Sequence, residues 1–302
     1  MEIKLYAKTD GQRIDKYIAE NVEEISRSHI QKLIEEGRVL VNGISVRSKH
    51  KLKTADEILI CVPEPTPTDI LPENIPLDIL YEDSDVIIVN KPKGMVVHPS
   101  AGHPGGTLVN ALMYHTKSSL SGINGELRPG IVHRIDKDTT GSLIVCKNDR
   151  AHLNIAEQIK EHSVNRIYRG IVKGTIKEDS GTIRSLIGRD QKDRKKMSSN
   201  TKCGREAITH YRVLERFKNA TYVEFKLETG RTHQIRVHMA GIGHPLLGDT
   251  VYGSSKNPYH LTGQTLHAMT IGFVHPTSGE YLEFSAPVPE YFSEILIKLR
   301  RE

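Results

Sequence analysis

The apolar positions of this chain follow two different rhythms. In the first sixty or so residues they are sparse and helical. Ile14, Tyr17 and Ile18 recur at three- and four-residue steps, and Ile30, Leu33 and Ile34 repeat the pattern. Ser26 is placed to cap the second of these helices and Gly37 to close it. Val39-Leu40-Val41 then meets Asn42-Gly43 and Ile44-Ser45-Val46, a hairpin whose turn needs positive φ. Residues 56–62 read as a closing strand. Pro63, Pro65 and Pro67 alternate with polar residues, which favours a stiff, extended segment without a core. The expected division is therefore residues 1–62, a linker over 63–73, and a larger unit over 74–302.

The larger unit alternates grouped strands with few helices. Residues 86–89 form a buried apolar run, followed by the polar turn Asn90-Lys91-Pro92-Lys93-Gly94. Helices are expected over 107–115, with Leu108, Ala111 and Leu112 on one face, and over 150–161, with Leu153, Ala156 and Ile159. Strands are expected over 209–215, 221–227, 270–274 and 281–285, and a terminal helix over 289–300. Grouped strands outnumbering helices predict an α+β fold with a mixed, mainly antiparallel sheet.

One polar stretch interrupts the apolar pattern in an informative way. Gly130-Ile131-Val132-His133-Arg134-Ile135-Asp136-Lys137-Asp138-Thr139-Thr140-Gly141 presents Asp136 in a turn-forming segment. Ile131-Val132 leads in and residues 142–146 lead out, so the reading is strand, loop, strand. Functional side chains concentrate on such loops. From pattern alone, a solvated acidic turn and a catalytic carboxylate weigh equally.

Charge narrows the choice of partner. The formal net charge of +5 is modest for 302 residues, but it is clustered. Five Lys/Arg (Arg38, Arg47, Lys49, Lys51, Lys53) fall between Gly37 and Ala55 without one acid. Eight more lie over 184–205 (Arg184, Arg189, Lys192, Arg194, Lys195, Lys196, Lys202, Arg205) against Asp190 and Asp193. One-signed runs of this kind suit a phosphate backbone, and the second reads as an exposed mobile loop that RNA would order.

Other chemistries lack their signatures. Cys61, Cys146 and Cys203 show no metal or redox spacing, so they read as free thiols of a reducing, cytoplasmic compartment. The first residues carry charge without an apolar core, which argues against a secretory signal, and no run approaches the ~18 apolar residues of a membrane span. Asp138-Thr139-Thr140-Gly141 is a single imperfect copy of an aspartic-protease loop, where such enzymes need two. His233 and His238 lack a third ligand, so no metal is expected. The sequence lacks a P-loop, and Gly102-His103-Pro104-Gly105-Gly106 lacks dinucleotide-fold spacing, so no cofactor is expected either.

Three segments, in order, carry a family resemblance. The run 130–141 resembles the catalytic-aspartate motif of the RluA/RluD-type pseudouridine synthases, usually H-R-L-D followed by T-S/T-G, with Ile135 in place of Leu. Residues 165–172 (Asn-Arg-Ile-Tyr-Arg-Gly-Ile-Val) resemble the family's tyrosine strand, with Gly170 where alanine is common. Residues 229–238 (Thr-Gly-Arg-Thr-His-Gln-Ile-Arg-Val-His) resemble its basic motif without departure. Near the N-terminus, Arg27-Ser28 opening the second helix and the run 37–43 resemble the S4 RNA-binding module.

The resemblance implies a pseudouridine synthase fold preceded by a small α/β S4 domain. It implies a cofactor-independent isomerase that turns uridine into pseudouridine in RNA, with large-subunit ribosomal RNA favoured over transfer RNA. Asp136 would be the nucleophile, Arg236 its ionic partner, and Tyr168 the residue packed on the base. Arg134 would enter the RNA and hold the nucleotide out of the stack, with Arg231 as the second candidate of the basic motif. His133, Arg27, Ser28, Arg38, Lys49, Lys51, Arg194 and Lys195 would add RNA contacts, and the protein would act as a monomer. Two alternatives of other classes are a non-catalytic RNA-binding or ribosome-assembly protein, and a metal-dependent RNA hydrolase. The first need not keep Asp136, Tyr168 and Arg236 together. The second would need clustered carboxylate or histidine ligands.

Overall fold

The computed structural model describes all residues but 1, 23–26, 62–69, 101, 118–119, 124–128, 191–192, 194–195, 200, 202 and 254–257, and omits the side chains of 27–29 and 32. The chain divides into two compact units, Met1–Thr68 and Asp69–Glu302. The proposed cap Ser26 and most of the Pro-rich linker lie outside the described residues.

In the first unit, β1 (Glu2–Tyr6) precedes helices α1 (Ile14–Asn21) and α2 (Arg27–Glu35). Strands β2 (Val39–Val41), β3 (Ile44–Ser45) and β4 (Glu57–Cys61) follow. The four strands form one antiparallel sheet in the order β1-β4-β2-β3. The helical stripe Ile14, Ile18, Ile30 and Leu33 is fully buried against Val39, Ile58 and Ile60. Gly37, at φ +72°, ends α2 in a Schellman arrangement: its N–H donates to Ile34 O, and Arg38 N–H donates to Leu33 O. Asn42 and Gly43 both have positive φ, as a two-residue hairpin with this twist requires. Strand β1 escaped the sequence reading. It is an edge strand with only Ile3 and Leu5 turned toward the core, too few apolar positions to stand out.

The second unit contains β5 (Ile79–Glu82), β6 (Val86–Lys91), α3 (Leu108–His115), β7 (Thr140–Cys146) and α4 (Asp149–Lys160). It continues with β8 (Asn165–Lys173), β9 (Ser180–Arg189), β10 (Met197–Ser198), β11 (Arg205–Arg216) and β12 (Ala220–Leu227). Helix α5 (Gln234–Gly241), β13 (Leu266–Val274), β14 (Tyr281–Ser285) and α6 (Glu290–Arg301) complete it. One ten-stranded sheet runs β10-β9-β11-β12-β8-β13-β7-β6-β5, with β14 on β13. The β13–β7 pair is parallel, and the other pairs are antiparallel. The expected α+β architecture with a mixed, mainly antiparallel sheet is what forms.

The sheet is covered on both faces. On one, Val89, Leu143, Val145 and Phe225 pack against Leu108 and Leu112 of α3 and Ile235 and Met239 of α5. On the other, Val86, Ile88, Ile144 and Phe273 meet Ala151 and Ile155 of α4. Helix α6 seals Ile171 and Tyr222 with Phe292, Ile295 and Leu299. Thr107 caps α3 in a reciprocal box with Asn110, which sets the start of that helix.

Three expectations need correction. Ile131-Val132 is not a strand: Ile131 makes one isolated bridge to Val145, because Gly130 at φ +71° turns the chain just before it. On α4 the inner face is Ala151, His152 and Ile155, while Leu153 is 61 % exposed. A small residue and a histidine line that face, so reading large apolar residues alone rotated the helix. The segment 184–205 is not a loop throughout. Arg184 and Arg189 lie on β9 and Arg205 opens β11, in a hairpin whose short β10 returns on β9. Arg194 and Lys195, at the tip of that hairpin in sequence, lie outside the described residues.

Candidate active site

The run 130–141 is held against the sheet at both ends. Cys146 N–H donates to Gly130 O, and Gly130 N–H to Ser121 O. At the far end, Gly141 has φ +109°, and a Cβ there would collide with the Ala268 backbone. The chain can enter β7 beside parallel β13 only without a side chain at that point. Between these ends, Thr139 N–H donates to Asp136 O, closing a turn. Gln264 Nε2 donates to Thr139 Oγ1.

A buried lysine supports the turn from below. Lys91 has no exposed surface. Its Nζ donates to the carbonyl oxygens of Pro92, Met95 and Lys137 at 2.8–3.0 Å. Burial pulls its pKa down to about 7, while Asp138 and Asp136 hold it up. The polar turn 90–94, read from sequence only as a turn, is thus the scaffold of the Asp136 loop.

His133, expected to contact RNA, also ties its own loop to the sheet. Its Nε2 accepts the Ile144 N–H at 3.1 Å, tying the loop to β7. Burial, reinforced by Arg166, pushes its pKa down to about 3, so the ring is neutral.

Asp136 meets Arg236 across 100 residues of sequence: Arg236 Nη1 donates to Asp136 Oδ2 at 3.0 Å. The same guanidinium donates through Nε and Nη2 to both oxygens of Asp249, at 2.7 and 3.0 Å. Asp249 also accepts the N–H groups of Val251 and Tyr252. Burial alone would lower the Arg236 pKa, but the hydrogen bonds of Asp249 and the fields of Asp136 and Asp249 raise it above the ordinary arginine range. For Asp249, burial works to raise the pKa, but Arg236 and the two backbone N–H groups hold it below the usual carboxylate value. Arg236 is therefore a buried, permanently charged fork joining two carboxylates, not a surface helix residue.

Helix α5 is anchored so that Arg236 cannot wander. Gln234, buried at its start, accepts from Thr229 Oγ1 and Arg231 N–H and donates to Ile208 O and Thr209 Oγ1. His238 hydrogen-bonds Ser185 and Thr209 on the sheet, and burial lowers its pKa to about 4. His233 turns the other way, its Nε2 3.8 Å from Asp136 Oδ1. The two histidines therefore diverge.

Tyr168, on β8, is 8 % exposed, and burial raises its pKa. It lines one cavity of about 50 Å³ with Asp136, Arg134, Arg231, His233, Arg236 and the apolar Ile135, Leu227, Ile235 and Leu266. A second cavity, of about 330 Å³, shares Arg134, Asp136, His233 and Arg236 and extends to His98, His103 and Thr250. Arg134 is exposed, and Arg231 is half-buried with Nε donating to Glu206 O. The structure thus gathers Asp136, Tyr168, Arg236, Arg134 and Arg231 in one cleft. Arg38, Lys49 and Lys51 are exposed on the first unit, and Arg27 and Ser28 open α2. Sequence reasoning missed Asp249, His233 as a neighbour of Asp136, and Tyr252. The available signal was the glycine-bracketed turn Gly248-Asp249-Thr250-Val251-Tyr252-Gly253, whose composition marks a turn and nothing more.

The cleft offers a carboxylate with a locked guanidinium, an aromatic face and an exposed arginine at its rim. It suits chemistry at a sugar or base without redox. Comparison with known proteins agrees. Residues 85–241 match the model of the RNA pseudouridylate synthase family, and residues 12–58 match the S4 domain. An uncharacterised RNA pseudouridine synthase of Bacillus subtilis (strain 168) is 51 % identical over 100 % of this chain and 98 % of its own length. Ribosomal large subunit pseudouridine synthase D of Zymomonas mobilis is 45 % identical over 96 % of this chain and 94 % of its own. The Pseudomonas aeruginosa protein of the same name is 41 % identical over 97 % and 93 %. Among solved structures, human RNA pseudouridylate synthase domain containing 1 superposes with a TM-score of 0.57 at 25 % identity, over 80 % of this chain and 98 % of that one. The chain belongs to the RNA pseudouridylate synthase family and is an RNA pseudouridine synthase, an isomerase, carrying an S4 domain at its N-terminus.

Proposed function

We propose that this enzyme converts uridine to pseudouridine in large-subunit ribosomal RNA, with Asp136 as the nucleophile acting on a nucleotide turned out of its stack. The Asp136–Arg236 hydrogen bond inside the Tyr168-lined cleft carries this reading. Two relatives named for the large ribosomal subunit favour that RNA.

The isomerisation breaks the bond from the sugar to N1 of uracil and forms one from the same sugar carbon to C5. The proton on C5 is lost and one returns to N1, so atoms balance without water or an oxidant. Asp136 is the charged group that engages the nucleotide as the first bond breaks. Arg236, held by Asp249, keeps that carboxylate oriented and offsets part of its desolvation. The Tyr168 ring packs on the freed base and keeps it in the cleft while it turns. Arg134 fills the space the nucleotide leaves, at an unstacking cost of a few kcal/mol. Arg231 contacts RNA at the rim. The S4 domain, through Arg38, Lys49 and Lys51 and through Arg27 and Ser28 at the start of α2, sets register on the backbone. Arg194 and Lys195 add phosphate contacts.

The protein acts as a monomer in the cytoplasm, in keeping with its free cysteines; among the described residues no helix is long and apolar enough to cross a membrane. The test is to map pseudouridines across all RNA in a strain lacking this chain. Loss of specific sites in large-subunit ribosomal RNA, restored by the wild type and not by Asp136→Asn, is expected. Loss confined to transfer RNA would overturn the substrate assignment.

A further inference from the structure

One more side chain faces the carboxylate. His233 stands at the N-cap of α5 with φ 58°. This left-handed conformation is uncommon outside glycine, although His tolerates it better than most. It turns the imidazole out of the helix and toward Asp136. Nε2 lies 3.8 Å from Oδ1, the carboxylate oxygen that Arg236 does not take. The other ring nitrogen, Nδ1, is 2.8 Å from the Tyr252 hydroxyl.

The network accommodates a tautomer in which Nδ1 accepts. Tyr252 Oη already accepts the Met197 N–H at 2.7 Å. Its own proton is then available to Nδ1. A neutral ring that accepts at Nδ1 carries its proton on Nε2, facing Asp136. Burial, with Arg236 and Arg134, outweighs the pull of Asp136 and Asp249 and lowers the pKa of the ring, which favours its neutral form. Tyr252 is itself fixed from two sides. Its ring lies edge-on to His233 at 5.5 Å, and the Arg236 guanidinium sits 5.1 Å from its centroid.

We propose that His233 is a positioning residue for Asp136, donating from Nε2 to Oδ1 in the tautomer that Tyr252 selects. The inference rests on the reading of Asp136 as the reacting carboxylate. Arg236 takes Oδ2 and His233 takes one lone pair of Oδ1. The carboxylate can then no longer rotate, and the remaining lone pair of Oδ1 is directed into the cleft. The separation of 3.8 Å exceeds hydrogen-bond length and closes when a nucleotide fills the cleft, as contacts of this kind tighten in the bound complex. The arrangement also joins the carboxylate to the basic hairpin, through Tyr252 and the backbone of Met197 at the start of β10.

The full-length chain, assayed on unmodified large-subunit ribosomal RNA transcripts, tests this. Asn accepts the left-handed backbone but its amide reaches only as far as Nδ1, whereas the Gln amide reaches Nε2. His233→Asn is expected to lower kcat by about 10–100-fold, the loss of one hydrogen bond to a charged group, with KM within about threefold. His233→Gln should recover at least about tenfold of that loss. Ring nitrogen shifts of His233 should report the Nε2–H tautomer in the wild type and a mixture in Tyr252→Phe, which keeps the ring and removes the proton. Wild-type turnover in His233→Asn, no recovery in His233→Gln, or an Nδ1–H wild-type tautomer would each overturn the proposal. Asp136→Asn separates the two levels. If it is inactive while His233→Asn is fully active, only this inference falls. If it is active, the reading of Asp136 falls with it.

Discussion

Arg236 holds Asp136 with one N–H and Asp249 with two, so the guanidinium that meets Asp136 is itself fixed by a second, buried carboxylate. Asp249 is 2 % exposed and also bound to the Val251 and Tyr252 backbone, which makes it the stationary end of the chain of charges. A buried charge chain of this kind is costly to interrupt, because one partner is then left uncompensated. The two ends of the chain should therefore fail differently, Asp136 in chemistry and Asp249 in folding.

Asp136→Asn keeps size and hydrogen-bonding reach while removing the charge. Pseudouridine formation should fall by at least about a thousandfold, with RNA affinity unchanged within about threefold, since the loss lies in chemistry rather than binding. Single-turnover assays and filter binding on the same RNA measure both. A variant retaining a tenth of the activity would exclude Asp136 as the essential carboxylate.

Arg236→Lys keeps the charge without the fork, so it can satisfy Asp136 or Asp249 but not make all three hydrogen bonds. Turnover should fall by roughly 10–100-fold in Arg236→Lys and further in Arg236→Ala. Asp249→Ala should instead cost about 3–5 kcal/mol of stability, visible as a lowered melting temperature at roughly 2–4 °C per kcal/mol. If both Arg236 variants matched the wild type, the partner role would pass to Arg231.

Two histidines should make the enzyme sensitive to acid. Burial holds His133 at about 3 and His238 at about 4, both below the ordinary value near 6.5. Between these values the unfolded chain binds protons that the folded chain refuses. Stability is then fully present above about pH 6.5 and declines as pH falls toward 4 and 3, by up to ~1.36 kcal/mol per pH unit for each histidine. Urea titrations from pH 7.5 to 4 check the slope. His133→Gln, whose amide oxygen can still accept the Ile144 N–H, should flatten it. An unchanged slope would show that His133 titrates normally.

What the sequence could disclose depended on how local the determinants were. The helices of the first unit, the Asn42-Gly43 turn and strand Tyr281–Ser285 follow from apolar spacing and turn chemistry, and they appear where expected. Strand β9 was obscured because polar Ser185 falls on its inward side and apolar Leu186 on its exposed side, and its full burial comes only at Ile187 and Gly188. Asp136 stood out because its surroundings are contiguous in sequence. Its partners are not contiguous. Asp249 is placed by contacts distant in sequence: Leu246, just before it, bridges to Val172 of β8, and Leu247 N–H donates to Ile171 O. No residue spacing along the chain announces that Arg236 will find a second carboxylate 13 residues later. The same applies to Tyr252, whose hydroxyl meets His233 and Met197 from different parts of the fold.

Deleting residues 1–62 should leave a folded enzyme, since the second unit has its own cores and its own cleft. Some activity on RNA should remain, because the proposed mechanism asks the cleft to engage only one extruded nucleotide. Affinity and site preference should fall, because the exposed Arg38, Arg47, Lys49, Lys51 and Lys53 would no longer meet phosphates. For every phosphate that these side chains neutralise in the full-length protein, the truncation should reduce the log–log dependence of binding on salt by roughly 0.7–0.9 units. Full-length and truncated protein would be titrated with salt on the same RNA. A shallower slope for the truncated form gives the number of phosphates the S4 domain engages. An identical slope with identical affinity would mean that this basic run is a solvated face, and that the S4 domain serves recognition by some means other than backbone charge.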